Sequence, residues 1–244
     1  MPRRRGPRQA RQNIRIGNMK FDWVPVTRFE QNCSILHCEA TNRAAVIDPG
    51  GDVELILDML EWQEVVLDVI LVTHGHFDHA GGARRLADKT GARIEGPHRG
   101  DEHLLARLAE QGGRYGVRAE NFVPDRWLND GDIVRFGEVE ISALHCPGHT
   151  KGHVAYYHEP SRSSFVGDIL FAGAIGAWEH NDGNLMHLVS SIRCKLFPLG
   201  DDVRFLPGHG ETSTFGRERQ TNPFISDASV AKWNRKFDPC PELP

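Results

Sequence analysis

Four residues able to bind a metal ion fall within six positions of this chain, in Thr73-His74-Gly75-His76-Phe77-Asp78-His79, directly after the apolar run Val69-Ile70-Leu71-Val72. Such a run, bounded by polar residues, predicts a buried strand. Beyond a strand the chain is still extended, so His74 and His76, two positions apart, send their imidazoles to the same side and can share one ion. The helical pattern that starts at Ala80 turns the chain, so Asp78 and His79 leave in another direction and can reach a second ion beside the first. Imidazole suits zinc, and a carboxylate widens the choice to iron or manganese. Four ligand types so close together at a strand's end need a shared reason, and the buried strand before them needs an apolar layer around it.

The rest of the pattern supplies that layer. Residues 21–26, 32–38 and 44–48 read as strands, the last ending at Pro49-Gly50-Gly51. Val53, Ile56, Leu57, Met59 and Leu60 have helical spacing, which predicts a helix over 53–62. Further helices are expected over 80–89, ending near Gly91, and over 101–111, stopped by Gly112-Gly113, with a short strand at 93–95 between them. Residues 115–130 carry a weak pattern and read as a loop. A second β-rich section follows, with strands at 132–136, 139–144, 153–157, 164–166 and 203–206, a helix over 184–197 and a short one over 214–220. The halves repeat one plan, and two packed mixed β-sheets with helices on their outer faces, an αββα sandwich of the α+β class, is the simplest architecture for it. No linker is visible inside 19–225, so residues 19–244 are expected to form one domain.

Three more ligand types stand at strand ends. His149 lies in Cys146-Pro147-Gly148-His149-Thr150, Asp168 in Phe165-Val166-Gly167-Asp168, and His209 in Phe205-Leu206-Pro207-Gly208-His209-Gly210. Each follows a glycine, which lets the backbone turn sharply beside an ion. With the first cluster they make seven donors, enough for two four- or five-coordinate ions if Asp168 bridges and water completes the shells.

Charge is split between a basic end and an acidic body. Residues 1–18 hold six Arg and no acid, which leaves 23 basic against 33 acidic residues in the remainder. The first 18 residues are expected to be a disordered leader or a start placed too early, with Met19 the true one. An acidic body offers no groove for nucleic acid. No apolar run approaches the roughly 20 residues that span a bilayer, and no signal-peptide core is present, so a cytoplasmic protein without membrane contact is expected. Cys33, Cys38, Cys146, Cys194 and Cys240 are odd in number and lack CxxC spacing, which points to reduced thiols.

The ordered series His74-x-His76-x-Asp78-His79, His149, Asp168 and His209 resembles the metal signature of the metallo-β-lactamase superfamily. Within it the chain resembles the short bacterial glyoxalase II-like hydrolases (hydroxyacylglutathione hydrolase-like) over about residues 21–225. Gln31-Asn32-Cys33-Ser34, Val46-Ile47-Asp48-Pro49-Gly50-Gly51, Thr150 with Gly152-His153, Pro198-Leu199-Gly200-Asp201-Asp202 and Asn222-Pro223-Phe224 also match. The resemblance implies the metallo-β-lactamase fold and two divalent ions, zinc first, with iron or manganese also accepted. It implies that His74, His76 and His149 hold one ion, that Asp78, His79 and His209 hold the other, and that Asp168 holds both. It further implies a hydrolase in which metal-activated water attacks a thioester carbonyl, with S-lactoylglutathione or a related small acyl thioester as substrate and a monomer or homodimer as the working unit. Asp78 would also orient the attacking water, and Asp48 would either hold a ligand imidazole or cap the turn before Pro49.

One segment departs from the pattern. Related hydrolases follow the bridging Asp with Gly-Arg-(Ser/Thr)-Asp, where this chain has Gly176-Ala177-Trp178-Glu179-His180-Asn181-Asp182-Gly183. Ala177 removes the guanidinium, so Trp178, Glu179 and His180 would reshape the substrate side. The C-terminal helical domain of the longer glyoxalase II enzymes is expected to be absent as well, since 35 residues follow His209. Lys151, Arg84 and Arg85 are candidate anion contacts against the alternative of a solvated face. Competing activities on the same scaffold are an iron-dependent persulfide dioxygenase, which uses one ion held by two His and one Asp, and a lactonase.

Overall fold

The computed structural model describes residues 11–16 and 19–232. A first sheet runs in sequence order, β1 (Arg11–Ile16), β2 (Met19–Val26), β3 (Gln31–Cys38), β4 (Arg43–Ile47), β5 (Val66–Leu71) and β6 (Arg93–Glu95). Neighbours are antiparallel as far as β4 and parallel from β4 to β6. Parallel neighbours need crossovers, and helices supply them. These are α1 (Val53–Trp62) before β5, then α2 (Phe77–Ala80) and α3 (Ala83–Thr90) before β6. After α4 (Glu102–Leu105) and α5 (Leu108–Arg114), the chain enters β7 (Ile133–Phe136), β8 (Val139–His145), β9 (Val154–His158) and β10 (Ser163–Gly167). A two-stranded hairpin, β11 (Leu170–Phe171) and β12 (Ala174–Ile175), precedes α6 (Leu185–Ser190), which continues as wider helical turns over Ser191–Leu196. The chain then forms β13 (Arg204–Pro207), β14 (Ser213–Thr214) and α7 (Phe215–Thr221), and the second sheet has the order β14-β13-β10-β9-β8-β7.

Strand alternation distributes the side chains among three apolar layers. Phe21, Trp23, Leu36, Ala45, Ile47 and Leu71 of the first sheet meet Val134, Ile141, Val154, Tyr156 and Phe165 of the second. Their neighbours Val24, Val26, Ile35, Val46 and Ile70 face outward onto Val53, Ile56 and Met59 of α1 and Leu86 of α3. On the far side, Ala155, Tyr157 and Phe205 pack under Leu188, Ile192, Leu196 and Phe215. Each of these large side chains contributes about 1.5–3 kcal/mol by leaving water. Tyr156 joins the sheets by donating its hydroxyl to the Val72 carbonyl at 2.8 Å, one residue before the histidine-rich turn. The expected αββα sandwich is thus the observed one.

Several boundaries differ from expectation. The helix expected over 80–89 is divided at Gly81-Gly82, because both glycines lie under backbone: a Cβ at Gly81 would stand 2.4 Å from the Phe77 carbonyl oxygen and one at Gly82 2.5 Å from that of Pro49. The helix expected over 101–111 breaks between Leu105 and Leu108 and then runs on through Gly112-Gly113 to Arg114, since Gly112 packs against Val117 and Ala119. Part of the expected disordered leader, β1, pairs with β2; residues 1–10 and 17–18 lie outside the described residues. Cys33, Cys38 and Cys146 are free as expected, whereas Cys194 is disulfide-bonded and corrects the expectation of reduced thiols throughout. Among the described residues no helix is long and apolar enough to cross a membrane.

Candidate metal centre

All seven donors converge at one rim of the sandwich, delivered by the ends of β5, β8, β10 and β13. Nε2 of His74 and Nε2 of His149 lie 3.0 and 3.1 Å from Nδ1 of His76. Donors around a tetrahedral zinc at about 2.0–2.1 Å stand about 3.3 Å apart, so three imidazole nitrogens at this spacing suit one ion. Beside them, Asp78 Oδ2 is 3.3 Å from His209 Nε2 and 3.9 Å from His79 Nε2. Asp168 lies between the groups, with Oδ1 3.3 Å from His79 Nε2 and Oδ2 3.8 and 3.9 Å from Nε2 of His149 and His209. His79 Nε2 and Asp168 Oδ1 are buried without a hydrogen-bond partner. Buried polar atoms are left unpaired at a real cost, and a cation between them removes it. The donor set therefore fits a binuclear divalent metal site.

The tautomers follow from the outer contacts. Thr73 spends its one hydroxyl proton on Asp48 Oδ2 at 2.6 Å, so at 3.0 Å it accepts from His74 Nδ1–H and leaves the His74 Nε2 lone pair free. Asp48 Oδ2 accepts from His79 Nδ1–H at 2.9 Å, the Ala177 carbonyl from His149 Nδ1–H at 2.7 Å, and the Phe29 carbonyl from His209 Nδ1–H at 3.0 Å. Four histidines are thereby held with Nε2 inward, the usual support of a metal-binding imidazole. Burial and the neighbouring imidazoles hold His74 well below its ordinary value, so it is neutral and ready to bind. Burial raises the Asp168 carboxyl, but the neighbouring imidazoles, His79 first, outweigh it and hold Asp168 well below the usual carboxylate range.

The glycines expected beside the ligands let backbone approach them. A Cβ on Gly208 would stand 2.1 Å from Asp168 Oδ1 and 2.5 Å from His79 Cε1, and one on Gly176 1.8 Å from the Asp168 carbonyl oxygen. Asn32 fixes the His209 loop by donating Nδ2–H to the carbonyls of Pro207 and Gly210, both at 3.0 Å. His153 stacks on His74 at 4.7 Å between centroids and accepts the Asp168 amide at 3.1 Å.

A cavity of about 200 Å³ opens beside His76, lined by His103, Leu104, Arg107, Glu110, Gln111, Arg114 and Asp182. Of the candidate anion contacts, Lys151 reaches it only through its pair with Asp182 at 3.4 Å. Arg84 pairs with Asp88 within α3, and neither Arg84 nor Arg85 lines the cavity. In the altered segment, the His180 ring lies 5.6 and 5.4 Å from the rings of His76 and His149, Trp178 packs on Phe224, and Glu179 is exposed. Sequence reasoning passed over Thr73, Asn32 and Asp101. Asn32 stood in a matched stretch, but an Asp at the head of an amphipathic helix carried only the signal of a cap.

Fold and site together define a metal-binding αββα sandwich whose His and Asp donors converge from four strand ends. The chain belongs to the metallo-β-lactamase superfamily, whose description matches residues 26–214. It is 41% identical over 213 residues to the hydroxyacylglutathione hydrolase GloC of Haemophilus influenzae, a match covering 86% of this chain and 100% of that protein. Its fold is similar to that of the BLEG-1 B3 metallo-β-lactamase, with a TM-score of 0.77 and 30% identity over 84% of this chain and 99% of that one. It is also similar to TTHA1623 in a di-iron-bound form, with a TM-score of 0.76 and 30% identity over 83% and 99% of the two chains.

Proposed function

We propose that this chain hydrolyses small acyl thioesters in the manner of glyoxalase II, releasing a carboxylate and a thiol, with S-lactoylglutathione or a related thioester as substrate. The observation that carries the reading is the 41% identity to a hydroxyacylglutathione hydrolase along that relative's whole length, in a chain that keeps all seven donors. The chain is a metal-dependent hydrolase. His74, His76 and His149 would hold one divalent ion, Asp78, His79 and His209 the other, and Asp168 both. Such ions make water a nucleophile at neutral pH and polarise the carbonyl it attacks. Zinc fits the imidazole-rich set, and iron or manganese fits the carboxylates, as the di-iron-bound relative illustrates.

The protein's own groups do the rest. Asp78, at the second cluster with one oxygen 3.3 Å from His209 Nε2, orients the attacking water and takes up its proton. Asp168 fixes the spacing of the two clusters. The cavity beside His76 holds the acyl or thiol arm and keeps bulk water from it. The place of action is the cytoplasm, where small thiols are plentiful.

Metal analysis of the purified protein, with hydrolysis of S-lactoylglutathione and a panel of other thioesters and lactones, tests the reading. Two ions per chain and thioester turnover that disappears in Asp168→Ala and His76→Ala are expected. Near-normal turnover in either variant would overturn the mechanism, and oxygen uptake with glutathione persulfide in place of hydrolysis would overturn the reaction class.

A further inference from the structure

Asp101 is fully buried and stands at the N-cap position of α4. A carboxylate there ordinarily caps its own helix. Asp101 makes no such bond. Both of its oxygens point instead to the two loops that carry His74, His76 and His149. Oδ2 accepts the Gly75 amide at 2.9 Å and the Thr150 hydroxyl at 2.7 Å, and Oδ1 accepts the Gly152 amide at 2.6 Å. Gly75 is the residue between His74 and His76, and Thr150 directly follows His149.

The backbone around this carboxylate is pressed together to the limit that glycine allows. A Cβ on Gly75 would stand 2.6 Å from Leu104 Cβ, one on Gly100 2.8 Å from the Lys151 carbonyl oxygen, and one on Gly152 2.4 Å from the Asp101 amide nitrogen. Three segments far apart in sequence thus close on one side chain. The other half of the site has its own counterpart in Asp48, which accepts the Thr73 amide at 2.7 Å as well as Thr73 Oγ1 and His79 Nδ1. Asp48 reaches a candidate ligand directly, whereas Asp101 reaches none and acts only through the loops.

We propose that Asp101 is a positioning residue for the first metal position: by joining Gly75, Thr150 and Gly152 it sets the His74–His76 turn against the His149 turn, so that their three nitrogens converge. A carboxylate buried here without a ligand role is costly, and three donors at 2.6–2.9 Å offset that cost only in this arrangement of the loops. Asparagine at 101 would turn one acceptor into an N–H facing an N–H or a hydroxyl. One loop would then move relative to the other.

The inference rests on the two-position reading of the donors, and zinc binding to metal-free protein, measured by competition with a chelator, separates the two. His209→Ala removes the second position and leaves the first to be read alone; His149→Ala does the reverse. In the His209→Ala background, Asp101→Asn is expected to weaken zinc binding by about 10- to 100-fold, the range for loss of an outer partner of a metal ligand. In the His149→Ala background it should change binding by less than about threefold, as expected for an independent site. Thr150→Val, in the His209→Ala background, should weaken binding in the same direction, and Thr150→Ser should restore it. These Thr150 variants decide the matter if Asp101→Asn fails to fold. Equal weakening in both backgrounds, no weakening in either, or Thr150→Val indistinguishable from Thr150→Ser would overturn the role of Asp101. A wild-type protein that takes up no zinc would instead overturn the metal reading itself.

Discussion

Asp48 Oδ2 stands 2.9 Å from His79 Nδ1, and both side chains are buried. The same oxygen accepts the Thr73 hydroxyl, and through it the orientation of His74 is fixed as well. One carboxylate therefore orients imidazoles of both clusters. Asp48 has a φ of 54°, a left-handed conformation that Asn also tolerates, so Asp48→Asn should fold. Its amide cannot accept from Thr73 and His79 as the carboxylate does. Zinc affinity measured by chelator competition should fall about 10- to 100-fold. Unchanged affinity would mean that Asp48 only shapes its turn.

Gly208 and Gly113 predict opposite outcomes for the same substitution. Gly208→Ala would force a methyl group to 2.1 Å from Asp168 Oδ1, so the Asp168 carboxylate or the loop must shift. Metal content and thioester turnover should fall together, by more than about tenfold in turnover, since misplacing a reacting group by about 1 Å costs up to 10²-fold. Gly113 lies inside α5 with no atom outside its own helix backbone within 4 Å of where a Cβ would stand. Gly113→Ala should stabilise the protein by about 0.5–1 kcal/mol in urea unfolding and leave activity unchanged.

The candidate metal donors were legible in the sequence because metal chemistry requires particular residue types, and seven of them recur at four strand ends. The core was legible because alternation alone assigns Phe21 and Trp23 to one layer and Val24 and Val26 to another. The supports were not. The carbonyls of Phe29 and Ala177 orient His209 and His149 with atoms that every residue possesses. Asp101 serves loops 26 and 49 to 51 positions away, a relation that no local pattern encodes. The break at Gly81-Gly82 likewise comes from backbone packed on backbone, not from propensity.

Asp22 predicts a pH dependence away from the metal site. Burial pushes its carboxyl up to about 6, against the opposing charges of His37 and Lys20. A carboxyl raised in the folded state binds a proton more tightly there than in the unfolded chain, so stability is greatest below about pH 4 for this group and declines as pH rises towards 6. Partial exposure to solvent reduces the effect to about 1 kcal/mol. Asp22→Asn should remove that decline and be the more stable protein by this amount at pH 7.5, as read from urea midpoints. A variant less stable than wild type at pH 7.5 would show that the Gln63 contact to Asp22, at 3.3 Å, outweighs the burial.

Ala177 holds His149 through its backbone carbonyl, while its side chain is exposed. Placing a guanidinium here with Ala177→Arg should therefore leave the metal site intact and alter only the substrate side. The basic side chains lining the cavity are already engaged, His103 with Asp182 at 2.9 Å and both Arg107 and Arg114 with Glu110. A new guanidinium at 177 would add an unmatched positive charge near the rim. Partly exposed ion pairs contribute about 0.2–1 kcal/mol, which corresponds to about 1.4- to 5-fold in affinity. KM for thioesters carrying a carboxylate should fall by that factor, while KM for neutral thioesters and the metal content stay as in wild type. Equal changes for charged and neutral substrates would place the effect in the metal site rather than in recognition of the substrate.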